Sequence, residues 1–343
     1  MSQYGSNTAE RLEKTSVPIY KPSISHTMPK VIGTGETVTD FIIRGEQPEK
    51  MVCGGSCYNS MISLGRAGVE SVFIGEVGDD RLGQRTIAFL QNNGVCADYV
   101  AQRRGHQSQL SLAFLNEKND AEYLFYKDHS SDIFPTLLPD VEEGDVILYG
   151  SFFAINPIIR ESLTSFVDGA RKAGAIVYYD INFRTSHTKE KDKVLPFIVQ
   201  NISEADIVRG SDEDFFNTFG AQSAQEAWEA TGGRCPLLIY TCGGKSLSVF
   251  TSDGRERKYD VRPVDVVSTV GAGDSFNAGF VYRLVQMEKS HPDTPLRALL
   301  RMNGCIDALV ASAQRFSAEV CASSENYISK TTGEELKAAE LNS

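Results

Sequence analysis

The sequence predicts an α/β fold: a central, mostly parallel sheet with helices on both faces, and a second, small β sheet beside it. Three observations carry that expectation. From Asp145 onward, short apolar runs alternate with helical stretches of roughly ten to fifteen residues, the pattern of βαβ units. Between Val38 and Tyr126, extended stretches recur that do not fit such units and need a sheet of their own. The length of 343 residues with 41% hydrophobic content suits one large soluble domain with a small appendage better than two equal domains.

In chain order, the first 28 residues are polar and rich in Ser and Thr, and are expected to be a disordered leader or extension. The main domain is expected over 29–330, with 331–343 as a C-terminal tail. Val31-Ile-Gly-Thr-Gly reads as a buried strand ending in a glycine turn, and Val38–Arg44 as a second strand. A helix is predicted from Ser56 to Ala67, after the Gly54-Gly55 turn and before the stop at Gly68. Val72–Val77 resumes a strand, 84–93 reads as a helix, and Leu110–Leu115 and Glu122–Tyr126 as extended stretches. Segments around 38–52 and 97–128 are therefore expected to build a small β lid. Strands follow at Val146–Tyr149, Ala175–Tyr179, Ile207-Val208, Leu237–Thr241 and Ser246–Phe250, with helices over 157–173 and near 190–201.

Charge excludes some partners. With 34 Lys and Arg against 45 Asp and Glu, the formal net charge of -11 repels nucleic acid and anionic lipid at long range. Neither nucleic acid nor membrane is expected as a partner. Phosphate can still be held locally by backbone N–H groups at a helix start. The seven cysteines include no Cys-x-x-Cys pair and the five histidines are isolated, so no zinc site is expected. No run of about 18 apolar residues occurs. These features suggest free thiols in a cytoplasmic protein.

The segment Val264-Asp-Val-Val-Ser-Thr-Val-Gly-Ala-Gly-Asp-Ser-Phe-Asn-Ala-Gly-Phe280 carries the chemistry. Phe276, Phe280 and Leu284 recur at helical spacing, so a helix starts inside the glycine run. Gly271 and Gly273 permit positive φ and close approach, leaving the N–H groups of 271–274 at a positive helix end as an anion hole. Asp274 at the same helix start could orient and deprotonate an attacking hydroxyl, which is what phosphoryl transfer asks of a base. From the residues alone, a tight strand-to-helix turn with Asp274 as its cap is an equal alternative. A Walker loop would need Gly-Lys-Ser/Thr, and a dinucleotide fingerprint a third glycine where Phe276 stands; neither applies.

Ser268-Thr-Val-Gly-Ala-Gly-Asp274 resembles the C-terminal signature of the PfkB carbohydrate kinases, the ribokinase-like family. Gly54-Gly-Ser-Cys-Tyr-Asn59, Leu64-Gly-Arg-Ala-Gly-Val69 and Ile74-Gly-Glu-Val-Gly-Asp-Asp-Arg-Leu-Gly83 resemble its N-terminal signature, in the right order. The resemblance spans roughly 30–325. It implies a three-layer α/β/α ribokinase-like fold with a lid, ATP and Mg²⁺ as cofactors, and a sugar hydroxyl as acceptor, with Asp274 as general base and Gly271, Ala272 and Gly273 as anion hole.

The same resemblance implies further contacts. Gly35-Glu-Thr-Val-Thr-Asp-Phe41 is similar to the fructokinase segment whose aspartate binds sugar hydroxyls, which makes Asp40 a sugar ligand beside Gly54, Gly55 and Asn59. Phe125-Tyr-Lys-Asp-His-Ser-Ser-Asp132 and Asp180-Ile-Asn-Phe-Arg184 resemble fructokinase and ketodeoxygluconate kinase stretches, adding Tyr126, Lys127 and Arg184. Lys127 stands where the subgroup has arginine, and an ammonium cannot grip a carboxylate bidentately. Thr241-Cys-Gly-Gly resembles the turn along ATP, implicating Thr241 and Gly243; Ser268 and Asn303 are further nucleotide candidates. Ser211 and Asp214 stand where the family's Asn and Glu organise magnesium, and are expected to act through water. The acceptor is expected to be a fructose-like sugar or a ketodeoxy sugar acid. The alternatives are a weakly catalytic sugar- or nucleotide-binding regulator and a nucleoside kinase. The lid's exposed edges suggest a homodimer.

Overall fold

The computed structural model describes residues 29–115, 121–127, 133–291 and 294–341; the expected leader lies outside them. The N-terminal part contains β1 (Val31–Thr34), β2 (Val38–Arg44), β3 (Gln47–Gly54), α1 (Ser56–Arg66), β4 (Ser71–Gly78), α2 (Arg81–Asn92), β5 (Val95–Cys96), β6 (Val100–Arg103), β7 (Leu110–Leu115) and β8 (Ala121–Tyr126). There follow β9 (Val146–Gly150), α3 (Arg160–Lys172), β10 (Ile176–Asp180), α4 (Lys191–Glu204), β11 (Ile207–Ser211), α5 (Asp212–Phe219), α6 (Ala224–Thr231), β12 (Leu237–Cys242), β13 (Ser246–Thr251) and β14 (Glu256–Tyr259). The chain closes with α7 (Ala272–Ser290), α8 (Leu296–Leu299), α9 (Asn303–Cys321) and α10 (Lys330–Leu341).

The large sheet runs β14-β13-β12-β11-β10-β9-β1-β4-β5, with β6 also paired to β4. It is parallel from β12 through β5, and β13 and β14 complete it as an antiparallel edge. Its central strands are buried on both faces, which is why they read as continuous apolar runs rather than as alternation. Successive residues still point to opposite faces. Ile176 and Tyr178 join Phe280, Leu309 and Ile62 in one core, while Val177 and Tyr179 join Leu163, Ile198 and Phe215 in the other. Helices α1, α2 and α7–α10 thus cover one face and α3–α6 the other, the three layers expected.

The small sheet has the order β3-β2-β7-β8. Two hairpins, β2–β3 and β7–β8, are joined by a parallel β2–β7 pair. The 97–128 stretch assigned to the lid is divided: β6 pairs in parallel with β4 of the large sheet, and only β7 and β8 reach the small one. Proximity in sequence hid this, because an extended stretch does not declare its partner. Helix α2 begins three residues before its expected start, since the Asp80 carboxylate accepts the Gly83 N–H at 2.8 Å. The segment read as a tail is largely helix. Ile328 and Leu336 are buried, and Gly333 packs so tightly that a Cβ there would lie 2.4 Å from the Arg66 carbonyl oxygen.

Candidate active site

The site forms where α1 and α7 meet above the C-terminal ends of the parallel strands. Gly55, with φ of 131°, is the N-cap of α1, and a side chain there would meet the Glu36 carbonyl oxygen at 2.2 Å. This turn aims the first residues of α1 at the start of α7. Ser56 Oγ donates to Asp274 Oδ1 and Asn59 Nδ2 to Asp274 Oδ2, each at 2.8 Å, and Ser60 Oγ donates to the Asp274 carbonyl at 2.8 Å. Asp274 is buried, and desolvation pushes its carboxyl up to about 6. The Asn59 and Ser56 hydrogen bonds and the Arg184 charge oppose that rise, while Asp180 adds to it.

The glycine turn is as expected in form. Gly271, at φ of 80°, caps α7, which begins at Ala272. A Cβ on Gly271 would lie 2.2 Å from the Asn326 carbonyl oxygen, and one on Gly273 2.9 Å from the Arg209 guanidinium. Behind the turn stands a buried network that the sequence did not announce. Arg209 donates to Asp180 Oδ1 at 3.2 Å and to Thr241 Oγ1 at 2.9 Å; Asn277 donates to Asp180 Oδ2 at 2.8 Å and accepts from Tyr178 at 2.9 Å. A buried cation thus sits directly behind the proposed anion hole. A polar residue in a buried strand, as Arg209 is in β11, was the available signal.

At the small sheet, Asp40 lies opposite Ser111 in the β2–β7 register and accepts its hydroxyl at 2.5 Å. Its other oxygen is 3.1 Å from where a Gly54 Cβ would stand, so glycine is what lets the carboxylate reach the α1 turn. Burial raises the Asp40 carboxyl above its usual range. Tyr126 is placed differently from its assignment. Phe125 stands opposite Ser111 and shares the Asp40 face, whereas Tyr126 opposes Leu110 and points to the other face. Lys127 donates to Glu36 at 3.1 Å, an ion pair between the small sheet and the β1 end.

A cleft of about 560 Å³ extends from Asp274 and Gly273 along Arg184, Thr241 and Gly243 to the second half of α9. Its far wall is formed by Gln314, Ser317 and Ala318 of that helix. Asn303 does not line it. It begins α9 and is exposed, eleven residues and about 16 Å of helix from Gln314 at 1.5 Å per residue. Ser268 also stands back from the cleft: it accepts the Val270 N–H at 3.2 Å, and neighbouring Thr269 faces the cavity instead. Ser211 and Asp214 do line the cleft, but they close a capping box on each other at the start of α5. Asp214 is 2% exposed with one carboxylate oxygen unpartnered, and desolvation raises its pKa. Asp212 and Glu213 stand at the same helix start and also line the cavity. Among the described residues no cluster of three or more acidic, His or Cys side chains gathers to hold a metal alone.

Comparison with known proteins identifies the family and the fold. Residues 22–331 match the pfkB family carbohydrate kinases. The chain is 30% identical to a probable fructokinase-4 of Arabidopsis thaliana over 265 residues, 74% of this chain and 79% of the relative. It is 26% identical to a 5-dehydro-2-deoxygluconokinase of Geobacillus kaustophilus over 277 residues, 77% and 80% of the two chains. Its fold is similar to that of the Vibrio cholerae fructokinase solved with fructose, ADP and potassium, with a TM-score of 0.77 at 24% identity over 91% of this chain and 98% of that one. It is also similar to aminoimidazole riboside kinase of Salmonella enterica, at a TM-score of 0.74 and 21% identity over 90% and 99%. The glycine turn with its carboxylate therefore stands on a known scaffold, and the chain belongs to the pfkB family of carbohydrate kinases, phosphotransferases with an alcohol acceptor.

Proposed function

We propose that this kinase transfers the γ-phosphoryl group of ATP to a hydroxyl of a neutral, fructose-like sugar, with Asp274 as general base. The observation that carries the reading is the Asp274 carboxylate: buried, held by two donors and placed at the first turn of α7 beside the Gly271–Gly273 turn. With its carboxyl near 6, Asp274 is mostly ionised at neutral pH yet basic enough to take a proton from a hydroxyl. As the hydroxyl oxygen bonds phosphorus and the bond to ADP breaks, that proton passes to Asp274. The N–H groups of Gly271, Gly273 and Asp274 and the side chain of Arg184, a cation at the cleft wall, suit the charge on the phosphoryl oxygens, while the Ala272 N–H is spent on the Thr269 carbonyl.

Asp40 and Asn59 would bind sugar hydroxyls, with Gly54 and Gly55 allowing close approach. The Lys127–Glu36 pair favours a neutral sugar over a sugar acid, because the lysine already has a counter-charge. The nucleotide would lie along Thr241 and Gly243 toward α9. A magnesium ion bound with it would neutralise phosphate charge, and the unpartnered oxygen of Asp214 with Asp212 and Glu213 at the cleft suits ordering its water shell. No helix among the described residues is long and apolar enough to cross a membrane, and we place the enzyme in the cytoplasm. The exposed β8 edge, with Leu124, Phe125 and Tyr126, would pair two lids in a homodimer. Sedimentation as a dimer at micromolar concentration is the expected result, and a monomer would discard that part.

ATP consumption with Mg²⁺ over fructose, tagatose, ribose, ketodeoxygluconate, inosine and adenosine tests the whole. Turnover on a neutral ketose is expected. Preference for the acid would overturn the role given to Lys127 and Glu36, and nucleoside turnover would replace the acceptor. Binding without turnover on any acceptor would make the chain a sugar- or nucleotide-binding regulator.

A further inference from the structure

Asp274 receives two side-chain donors from one turn of α1, and the sequence motif accounts for only one of them. Both stand in the Gly54–Asn59 segment, but the resemblance gives a role to Asn59 and none to Ser56. The hydroxyl of Ser56, the first residue of α1 after its N-cap Gly55, accepts no backbone N–H of its own helix. It is spent instead on Asp274 Oδ1 at 2.8 Å. Ser60, one turn on, accounts separately for the backbone: its hydroxyl bonds the Asp274 carbonyl at 2.8 Å and the Ser56 carbonyl at 3.3 Å.

We propose that Ser56 is a positioning residue for phosphoryl transfer, its hydroxyl fixing the Asp274 carboxylate in the orientation that receives the sugar's proton. This rests on the kinase reading above. The charges around Asp274 show why one neutral donor matters. From β10 Asp180 opposes ionisation, and from the following loop Arg184 favours it. Arg209 of β11, behind Gly273, is paired with Asp180 and faces Asp214. On α1 itself, burial pushes the Cys57 thiol far up, so it stays neutral. Burial and Asp180 together outweigh Asn59, Ser56 and Arg184, so the carboxyl stays raised. Removing Ser56 leaves Oδ1 without its protein donor, and the carboxylate becomes easier to protonate and freer to turn.

The test compares the wild type with Ser56→Ala, Ser56→Thr and Ser60→Ala, measuring kcat and KM from pH 5 to 9 on the sugar that the panel identifies. For Ser56→Ala the acid limb of kcat is expected to move up by about one unit, so the rate falls about tenfold on the acid side. It should recover toward the wild type near pH 8.5, with KM for ATP little changed. Ser56→Thr keeps the hydroxyl and should restore the profile; Ser60→Ala should lower the rate without moving the limb. A loss in Ser56→Ala that is equal at every pH, or an unmoved profile, would overturn the proposal. Should no sugar be turned over, ¹³C NMR titration of aspartate-labelled protein, with the signal assigned by Asp274→Asn, reads the same shift without catalysis. An unshifted signal in Ser56→Ala then refutes the role of Ser56, whatever becomes of the kinase reading.

Discussion

The two sides of the cleft are held in different ways. At the α7 start, Asp274 and the glycine turn are fixed by buried donors from α1, by the Asn326 backbone against Gly271 and by Arg209 against Gly273. At the small sheet, Asp40 is half-buried, it is held by Ser111 of the neighbouring strand, and the adjoining edge residues Leu124, Phe125 and Tyr126 are exposed. On the mechanism proposed above, the difference separates chemistry from selection: groups proposed to meet a transferring phosphoryl, which tolerate little displacement, are fixed by buried bonds, whereas the carboxylate proposed to choose the sugar stands on a small sheet with an exposed edge.

The sharpest way to break this division is at Asp274. Asp274→Asn should cut kcat by at least ~10²-fold with the fold intact. Stability should move the opposite way. Because burial raises the folded carboxyl to about 6, above the ordinary aspartate value of about 4 that the unfolded chain has, ionised Asp274 costs stability that is retained below about pH 4 and lost as pH rises through 6. The variant should therefore melt higher than the wild type at pH 7.5, with the gain fading by pH 4. Differential scanning calorimetry at both pH values checks the sign. Next in size, Gly271→Ala forces a side chain against the Asn326 carbonyl and a φ of 80° on alanine; kcat is expected to fall about 10²-fold, as when an oxyanion donor is displaced.

On the other side, Asp40→Ala should raise KM for the sugar by about 10- to 100-fold, the loss of one or two charged hydrogen bonds, with a smaller change in kcat. A kcat loss as large as that at Asp274 would erase the division. Smallest is Glu36→Gln, which frees Lys127 from a part-exposed pair worth up to about 1 kcal/mol. KM for a ketodeoxy sugar acid should drop about threefold relative to that for fructose, and equal shifts for both would remove Lys127 from substrate selection.

The strands of the parallel sheet and the helix starting inside the glycine run were legible because burial on both faces and helical spacing leave local signatures. Helices α5 and α6 and strand β14 were not, being short and without a long periodic face. Of the residues that the motifs singled out, Asn59 bonds Asp274, Asp40 stands beside Gly54, and Asp274, Gly243 and Arg184 line the cleft. Asn303, Ser268 and Tyr126 do not, because a motif fixes a register but not how far a helix continues or which face a strand residue takes. Ser56 and Ser60 were visible only as polar positions on α1; that they reach Asp274, more than 200 residues away, is a property of packing. Arg209 was hidden likewise, since its hydrogen-bond partners come from two other strands.

The parallel pairing of β2 with β7 sets an order of assembly. Asp40 and its partner Ser111 are 71 residues apart, with α1, β4 and α2 between them. Each hairpin of the small sheet can form alone, but joining them closes a long loop whose entropy is recovered only after the intervening α/β unit has packed. Asp40, the proposed sugar ligand, is thus expected to gain its neighbour last. Pulse-labelled hydrogen exchange during refolding should show β2–β7 amides protected after those of β1, β4 and β9, so a newly made chain would acquire its phosphoryl-transfer turn and its sugar site as separate events.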